Sequence, residues 1–311
     1  LSELQNNKQA VLLLAHGSPD RVEEVPEFLR FVTGGRGLPE PVVKEVQHRY
    51  GLIGHSPLTE ITLQQAAGVE RELGVRTYVG MRNWHPFICD TMVRMKEDGV
   101  EHAVVICLAP HNSRTSVGLY RATLEGAPFA VDFVESWHDH PLLIKAFSDR
   151  LLHGWRAACA AAATRLPVIF TAHSVPQRTI EAGDPYAEQT RHTAELVAHE
   201  AGLSEGDWVF AFQSQGMSGG QWLGPTVEDT IVGLREKGHA GVFIQPVGFV
   251  CDHVEVLYDI DIAFKKFAEE RGMKLWRAQS LNDSPLFIQA LVDVARARIQ
   301  NRKGFSLASQ R

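Results

Sequence analysis

The chain repeats itself. VLLLAHGSP at Val11–Pro19 is echoed by VIFTAHSVP at Val168–Pro176, and PFICDTMVRMKEDG at Pro86–Gly99 by PTVEDTIVGLREKG at Pro225–Gly238. An apolar run ending in proline follows each of the latter, AVVICLAP and then GVFIQP. A fourth pair, SWHDHPLLIKA from Ser136 and SLNDSPLFIQA from Ser280, closes each half. Four matches in one order mean a duplicated unit, with loops of unequal length between the matched segments.

Within each half, short apolar runs alternate with longer amphipathic ones. VLLLA, TYVGM, AVVICLA and FAVDFVES, then PVIFTA, WVFAFQS and GVFIQPVGF, have the length and β-branched content of buried parallel strands. The stretches Pro57–Leu73, Phe87–Asp98, Pro141–Ala163 and Asp184–Ala201 read as helices, the last opened by an Asp184 cap and a proline. The expected fold class is α/β: two similar Rossmann-like lobes, each a parallel sheet flanked by helices, residues 1–160 forming the first and 161–311 the second. In such sheets ligands bind beyond the C-terminal strand ends.

Composition narrows the function. With 31 Lys and Arg against 37 Asp and Glu, the net charge of −6 does not suit a nucleic-acid partner. The longest unbroken apolar run, Ala157–Ala163, is far short of the roughly 20 residues of a membrane span, so no stable membrane insertion is expected. Cys89, Cys107, Cys159 and Cys251 are scattered, with no CxxC pair, as in a chain of the reducing cytoplasm. No GxGxxG, GxxxxGK[ST] or GxSxG motif stands in its required setting, which disfavours dinucleotide, P-loop and serine-hydrolase chemistry.

Four groups carry candidate chemistry. His173, at the end of a buried strand, is placed to project into a cleft, although TAHSVP alone fits equally a histidine satisfied by loop backbone. Asp252, His253, Glu255, Asp259 and Asp261 crowd into ten residues. Glu255 and Asp259, four apart, share a helix face and form either a ladder of oxygen ligands for a divalent cation or an acidic first turn favoured by the helix dipole. Trp222, in QWLGP after Gln213-Ser214, is either a stacking wall for a flat ligand or ordinary packing. His16 is the repeat partner of His173 and is expected to face the same cleft from the opposite lobe.

Together these segments resemble a known family. TAHSVP, GDPY (Gly183–Tyr186), Gln213-Ser214, WLGP (Trp222–Pro225) and PVGFVCDHVEVLYDID (Pro246–Asp261) are similar to ferrochelatases, as are HSPLTEIT at His55–Thr62 and YVGMRNWHPF at Tyr78–Phe87. The resemblance spans nearly the whole chain. It implies a porphyrin cleft between the lobes and insertion of Fe2+, as a substrate, to make a haem. It implies that His173 and Glu255 are catalytic and meet the metal, facing each other across the macrocycle, with Asp259 feeding iron. Porphyrin propionates need charge-assisted donors, for which Arg36, Arg49, Ser56 and Arg114 are the candidates. Trp222 and His16 complete the expected substrate contacts.

The sequence also departs from the family. His16 stands where some members carry a tyrosine, and AHGS is spelled as in the small sirohydrochlorin chelatases. Thr33-Gly34 replace an arginine pair, the metal-side loop reads Arg82-Asn83, and Ala263 ends the acidic ladder early. With no cysteine-bearing C-terminal extension, no iron–sulfur cluster is expected. A cytoplasmic monomer is expected, with coproporphyrin III slightly favoured over protoporphyrin IX. The rival readings are a chelatase for sirohydrochlorin or a cobalt precursor, and a tetrapyrrole carrier without catalysis.

Overall fold

In the computed structural model the described residues are 8–215 and 220–308, with side chains described up to residue 300. The first half runs β1 (Gln9–Ala15), α1 (Val25–Val32), α2 (Glu40–Ile53), α3 (Leu58–Leu73), β2 (Thr77–Met81), α4 (Ile88–Glu97), β3 (His102–Cys107), α5 (Val117–Ala122), β4 (Ala130–Val134) and α6 (Pro141–Ala162). The second runs β5 (Val168–His173), α7 (Gln177–Glu181), α8 (Tyr186–Glu200), β6 (Trp208–Gln213), α9 (Val227–Glu236), β7 (Gly241–Pro246), α10 (Val254–Leu257), a π-helix (Asp259–Phe264), α11 (Lys265–Glu269), β8 (Lys274–Arg277) and α12 (Pro285–Ala308).

Each half forms a four-stranded sheet, ordered β2-β1-β3-β4 and β6-β5-β7-β8, and every pairing is parallel. The two orders are the same once the halves are superposed in sequence, as a duplication requires. Both prolines of the repeated helix openings, Pro86 and Pro225, follow cis peptide bonds. The central strands are buried on both faces: all six residues of β3 and of β7 are inaccessible. Helices therefore cover both sides, the arrangement that lets a parallel strand read as an unbroken apolar run.

Sequence expectation and structure differ where local signals are weak. The helix expected from Asp184 starts at Tyr186, whose N–H donates to the Asp184 carboxylate (3.0 Å). The same carboxylate accepts from Ser113 Oγ (3.1 Å) and the Arg114 N–H (2.7 Å), tying the two lobes together. Strand β8, KLWR, is too short and too charged to announce itself, and is specified by its pairing with β7.

The last helix of each half crosses over. Helix α6 packs against β7, β8 and α8 of the second lobe, while α12 packs against α3 and β3 of the first and against α6. One apolar cluster accordingly runs through both lobes, from Val11, Leu13 and Ile106 through Leu143 and Phe147 to Phe170, Phe243, Phe287 and Leu291.

Two glycines bring loops onto strand ends. A Cβ on Gly248 would lie 2.7 Å from Ala172 Cα, so the loop after β7 crosses directly over the end of β5. Gly17 has a φ of +86°, and a Cβ there would lie 2.8 Å from the Trp84 nitrogen, so the turn after β1 sits against the 82–84 loop. Gly248→Ala is expected to cost about 1–3 kcal/mol through this overlap, seen as a lowered melting temperature, and to lower turnover because the displaced loop leads to Glu255.

Candidate active site

Strand β5 ends at His173, paired in register with Gln213 at the end of β6. Beyond these ends the loop from β7 brings in Glu255. Glu255 Oε1 lies 3.2 Å from His173 Nε2, and Oε2 lies 3.4 Å from His253 Nε2. One carboxylate thus sits between two imidazoles. Its backbone is fixed as well, since Gln213 Nε2 donates to the Glu255 carbonyl (2.9 Å). The pair remains reachable from solvent, with side-chain exposures of 31% for His173 and 36% for Glu255.

The direct contact corrects one expectation. His173 and Glu255 do not face each other across a macrocycle-sized gap; they touch, and belong to one wall of the site. The opposite lobe supplies His16. Its Nε2 is 3.0 Å from Asn83 Nδ2 and its Nδ1 is 3.0 Å from the Gly17 carbonyl, and its ring packs edge-on against Phe28. The charges of Glu255 and His253 both reach His16, so the three groups share one electrostatic environment.

Protonation differs sharply between the two repeat-related histidines. Burial alone would lower the proton affinity of His173, but the Glu255 charge and hydrogen bond, with the Ser174 carbonyl and Asp259, outweigh it and push the pKa up to about 9. Burial likewise opposes ionisation of Glu255, yet the His173 and His253 partners hold its carboxyl well below the usual carboxylate range. His173 is therefore an imidazolium paired with a carboxylate at neutral pH. His16 is shifted the other way, first by burial and then by the Arg82 charge, and stays neutral. Duplication has given one ring the resting proton and left the other neutral, its Nε2 lone pair taken by the Asn83 amide.

The acidic cluster divides into two parts. Asp259 faces the site: burial pushes its pKa up to about 6 against a hydrogen bond from Ser214 Oγ, and Arg49 Nη1 approaches Oδ1 at 3.9 Å. Ser214 reaches it from a left-handed backbone conformation, φ +59°. A non-glycine residue pays for that geometry in strain, a cost that concentrates at functional positions. Asp259 also opens the π-helix, a widened turn often found at such places. Asp252 and Asp261, in contrast, are occupied by Arg277, which grips Asp261 with Nε (2.6 Å) and Nη2 (2.8 Å) and reaches Asp252 with Nη2 (3.2 Å). Ser280 and Asn282 complete the Asp252 contacts at 2.8 and 2.9 Å. These two acids hold the loop rather than line the site.

The remaining sequence candidates are placed as follows. Arg49, on α2, stacks 5.0 Å from the Tyr258 ring centre while approaching Asp259, so it bridges the lobes beside the site. Arg36 is exposed in the loop after α1, its Nε donating to the Thr33 carbonyl (3.2 Å). Arg114 is exposed and donates to the Ala182 carbonyl (2.7 Å). Trp222 is half-buried, its residue bridged to Pro176. Ser56 is buried and its Oγ has no hydrogen-bond partner, so in this conformation the hydroxyl is not presented to a propionate. Among the described residues no three His, Cys, Asp or Glu side chains converge as a ready-made metal cage. Sequence reasoning passed over Asn83 and Arg82 as the groups that set His16, and Arg277 as the lock on the acids; none carries a local signal of its role.

The opposed shifts are directly measurable. With Glu255→Gln, burial remains but the nearest charge is gone, so His173 is expected to titrate well below its value of about 9. The check is an NMR titration of its imidazole resonances. In the unaltered protein the raised value contributes stability that is full below pH 6.5 and is lost as pH rises to 9. The melting temperature should therefore fall across that interval more steeply than in the Gln variant.

Residues 8–299 match the family model described as ferrochelatase. The ferrochelatase of Acidobacterium capsulatum is 51% identical over 308 residues, covering 93% of this chain and 94% of the relative. The coproporphyrin III ferrochelatase of Anoxybacillus flavithermus is 38% identical, covering 91% and 94%. Among solved structures, the sirohydrochlorin chelatase SirB of Bacillus subtilis subspecies spizizenii in complex with cobalt superposes with a TM-score of 0.57 over 96% of this chain and 97% of that one. At 10% identity that likeness concerns the fold alone. With a matching family model over almost its whole length and relatives of this similarity, the chain belongs to the ferrochelatase family.

Proposed function

We propose that this chain inserts Fe2+ into coproporphyrin III, with the ring held between the His16 wall of the first lobe and the His173–Glu255–His253 wall of the second. The observation that carries the residue roles is the Glu255 carboxylate held between two imidazoles, 3.2 and 3.4 Å away, and facing a neutral histidine from the other lobe. Insertion exchanges one dication for the two pyrrole N–H protons of the porphyrin, so the site must supply negative charge for the metal and acceptors for two protons.

The resting ion pair does both in order. An approaching dication competes with the His173 imidazolium for the Glu255 charge and lowers the proton affinity of the ring. The displaced proton has an acceptor in Asp259, whose pKa of about 6 lies nearer neutrality than that of an ordinary carboxylate, and can pass from there to solvent. His173, now neutral, takes one pyrrole proton. His16, neutral from the start, takes the second once its Nε2 is released from the Asn83 amide. Arg49 stands beside this route to pair with a propionate.

Coproporphyrin III, with four propionates, is favoured by the resemblance to relatives named for it at 35–38% identity. No helix among the described residues is long and apolar enough to cross a membrane. The four cysteines form no disulfide, as suits a chain of a reducing compartment.

His173→Ala is expected to lower kcat for Fe2+ or Zn2+ insertion by about 10²-fold or more, the usual worth of a positioned acid–base group, with porphyrin KM changed only a few-fold. Near-normal kcat would remove the residue from the mechanism. In a parallel assay coproporphyrin III should exceed protoporphyrin IX in kcat/KM by at least about tenfold, the ratio that one lost charge-assisted contact of about 1.4 kcal/mol produces. Equal values would refute the substrate assignment and leave the His173 result untouched.

A further inference from the structure

Away from the cleft, the loop after β4 and helix α8 bring together two imidazoles that the metal-insertion chemistry does not use. His138 Nε2 and His192 Nδ1 lie 3.3 Å apart, with ring centres separated by 5.5 Å and planes inclined at 62°. His192 is exposed and His138 half-buried, so the space between the nitrogens is open to solvent on one side.

The hydrogen bonds behind His138 settle which nitrogen carries its lone pair. Ser136 Oγ lies 2.8 Å from His138 Nδ1, 3.0 Å from the Pro110 carbonyl and 3.0 Å from Gln189 Oε1. The Gln189 oxygen is identified as an acceptor because the Asn112 N–H donates to it at 2.7 Å. A hydroxyl has one proton to give, and both of these oxygens can only accept it. Ser136 must therefore accept from His138 Nδ1–H. That leaves the neutral ring with its lone pair on Nε2, directed at His192. A ring nitrogen fixed by a hydrogen bond at its far side is the way metal-binding histidines are oriented. Thr193 adds rigidity by donating its hydroxyl to the His138 carbonyl (2.9 Å).

The separation fits a shared metal. Two imidazoles on one tetrahedral ion, with metal–nitrogen bonds of about 2.0–2.1 Å, have their nitrogens about 3.3–3.4 Å apart. We infer that His138 and His192 form a peripheral binding site for a divalent first-row transition metal, separate from the cleft, with water filling the remaining positions. Imidazole nitrogen selects Co2+, Ni2+, Cu2+ or Zn2+ over Mg2+ or Ca2+. Supporting groups are in place. The carboxylates of Asp139 and Glu188 act on the His138 ring and offset the charge of an arriving cation.

The test uses the full chain without porphyrin, titrated with Zn2+ and with Ni2+ by calorimetry. To separate this site from the cleft, the titration is done in the unaltered protein and in Glu255→Gln. His192→Ala is expected to lose one bound ion in both backgrounds, while as a single substitution it leaves porphyrin metallation within about twofold of normal. Ser136→Ala should keep the ion but bind it about tenfold more weakly, as loss of an orienting hydrogen bond does. If His192→Ala binds the same number of ions with unchanged affinity in both backgrounds, the site does not exist. A lost ion in the His192 variant that disappears only when Glu255 is intact would place that ion in the cleft and overturn the assignment equally.

Discussion

A carboxylate with an imidazole on either side governs this molecule's chemistry. Glu255 is close to the protein interior, where an isolated anion is expensive. It is kept ionised because His173 and His253 surround it and Gln213 holds its backbone. The same pairing keeps His173 protonated. Neither group is chemically idle: each is in the form that the other demands, and an incoming dication changes both together. Remove the charge from Glu255 and the ring opposite moves toward the behaviour of His16, a buried imidazole that no carboxylate touches.

The duplication explains how such an arrangement can arise. Both strands that carry these histidines leave the sheet in the same register, each beside a loop opened by a cis proline. What differs is the environment at the tip. The first lobe offers Asn83, Gly17 and Arg82; the second offers Glu255 and Asp259. Arg277 makes the second tip workable by absorbing Asp252 and Asp261, so that only two of the four aspartate and glutamate groups between Cys251 and Ile262 confront the site. An undivided cluster of four acids would repel itself, and its loop would have no single resting position.

Much of this was legible in the chain itself. Strand positions followed from apolar runs bounded by turns, and helices Leu58–Leu73 and Pro141–Ala162 from periodicity and proline placement. The repeat showed that the two sheets would be alike and paired His16 with His173, while the roles expected of His173 and Glu255 came from family likeness. What resisted sequence reading depends on distant pairing. Strand β8 exists because β7 lies beside it. Ser56, in a polar and glycine-rich segment, lost its solvent to packing. That His173 and Glu255 touch, instead of standing apart, depends on Gly248 letting one loop settle on another strand's end, a three-dimensional coincidence of residues far apart in the chain.

The exchange of terminal helices has its own consequence. Because α6 completes the second sheet's covering and α12 the first's, neither half of the polypeptide contains all the surfaces needed to seal its own interior. Cutting the chain between the repeats would leave each fragment with a bare apolar flank and a helix lacking its seat. The molecule inherited from a doubled gene is thus an interlocked whole, whose halves must assemble in concert, and the crevice between them cannot open far without unseating one of the exchanged helices.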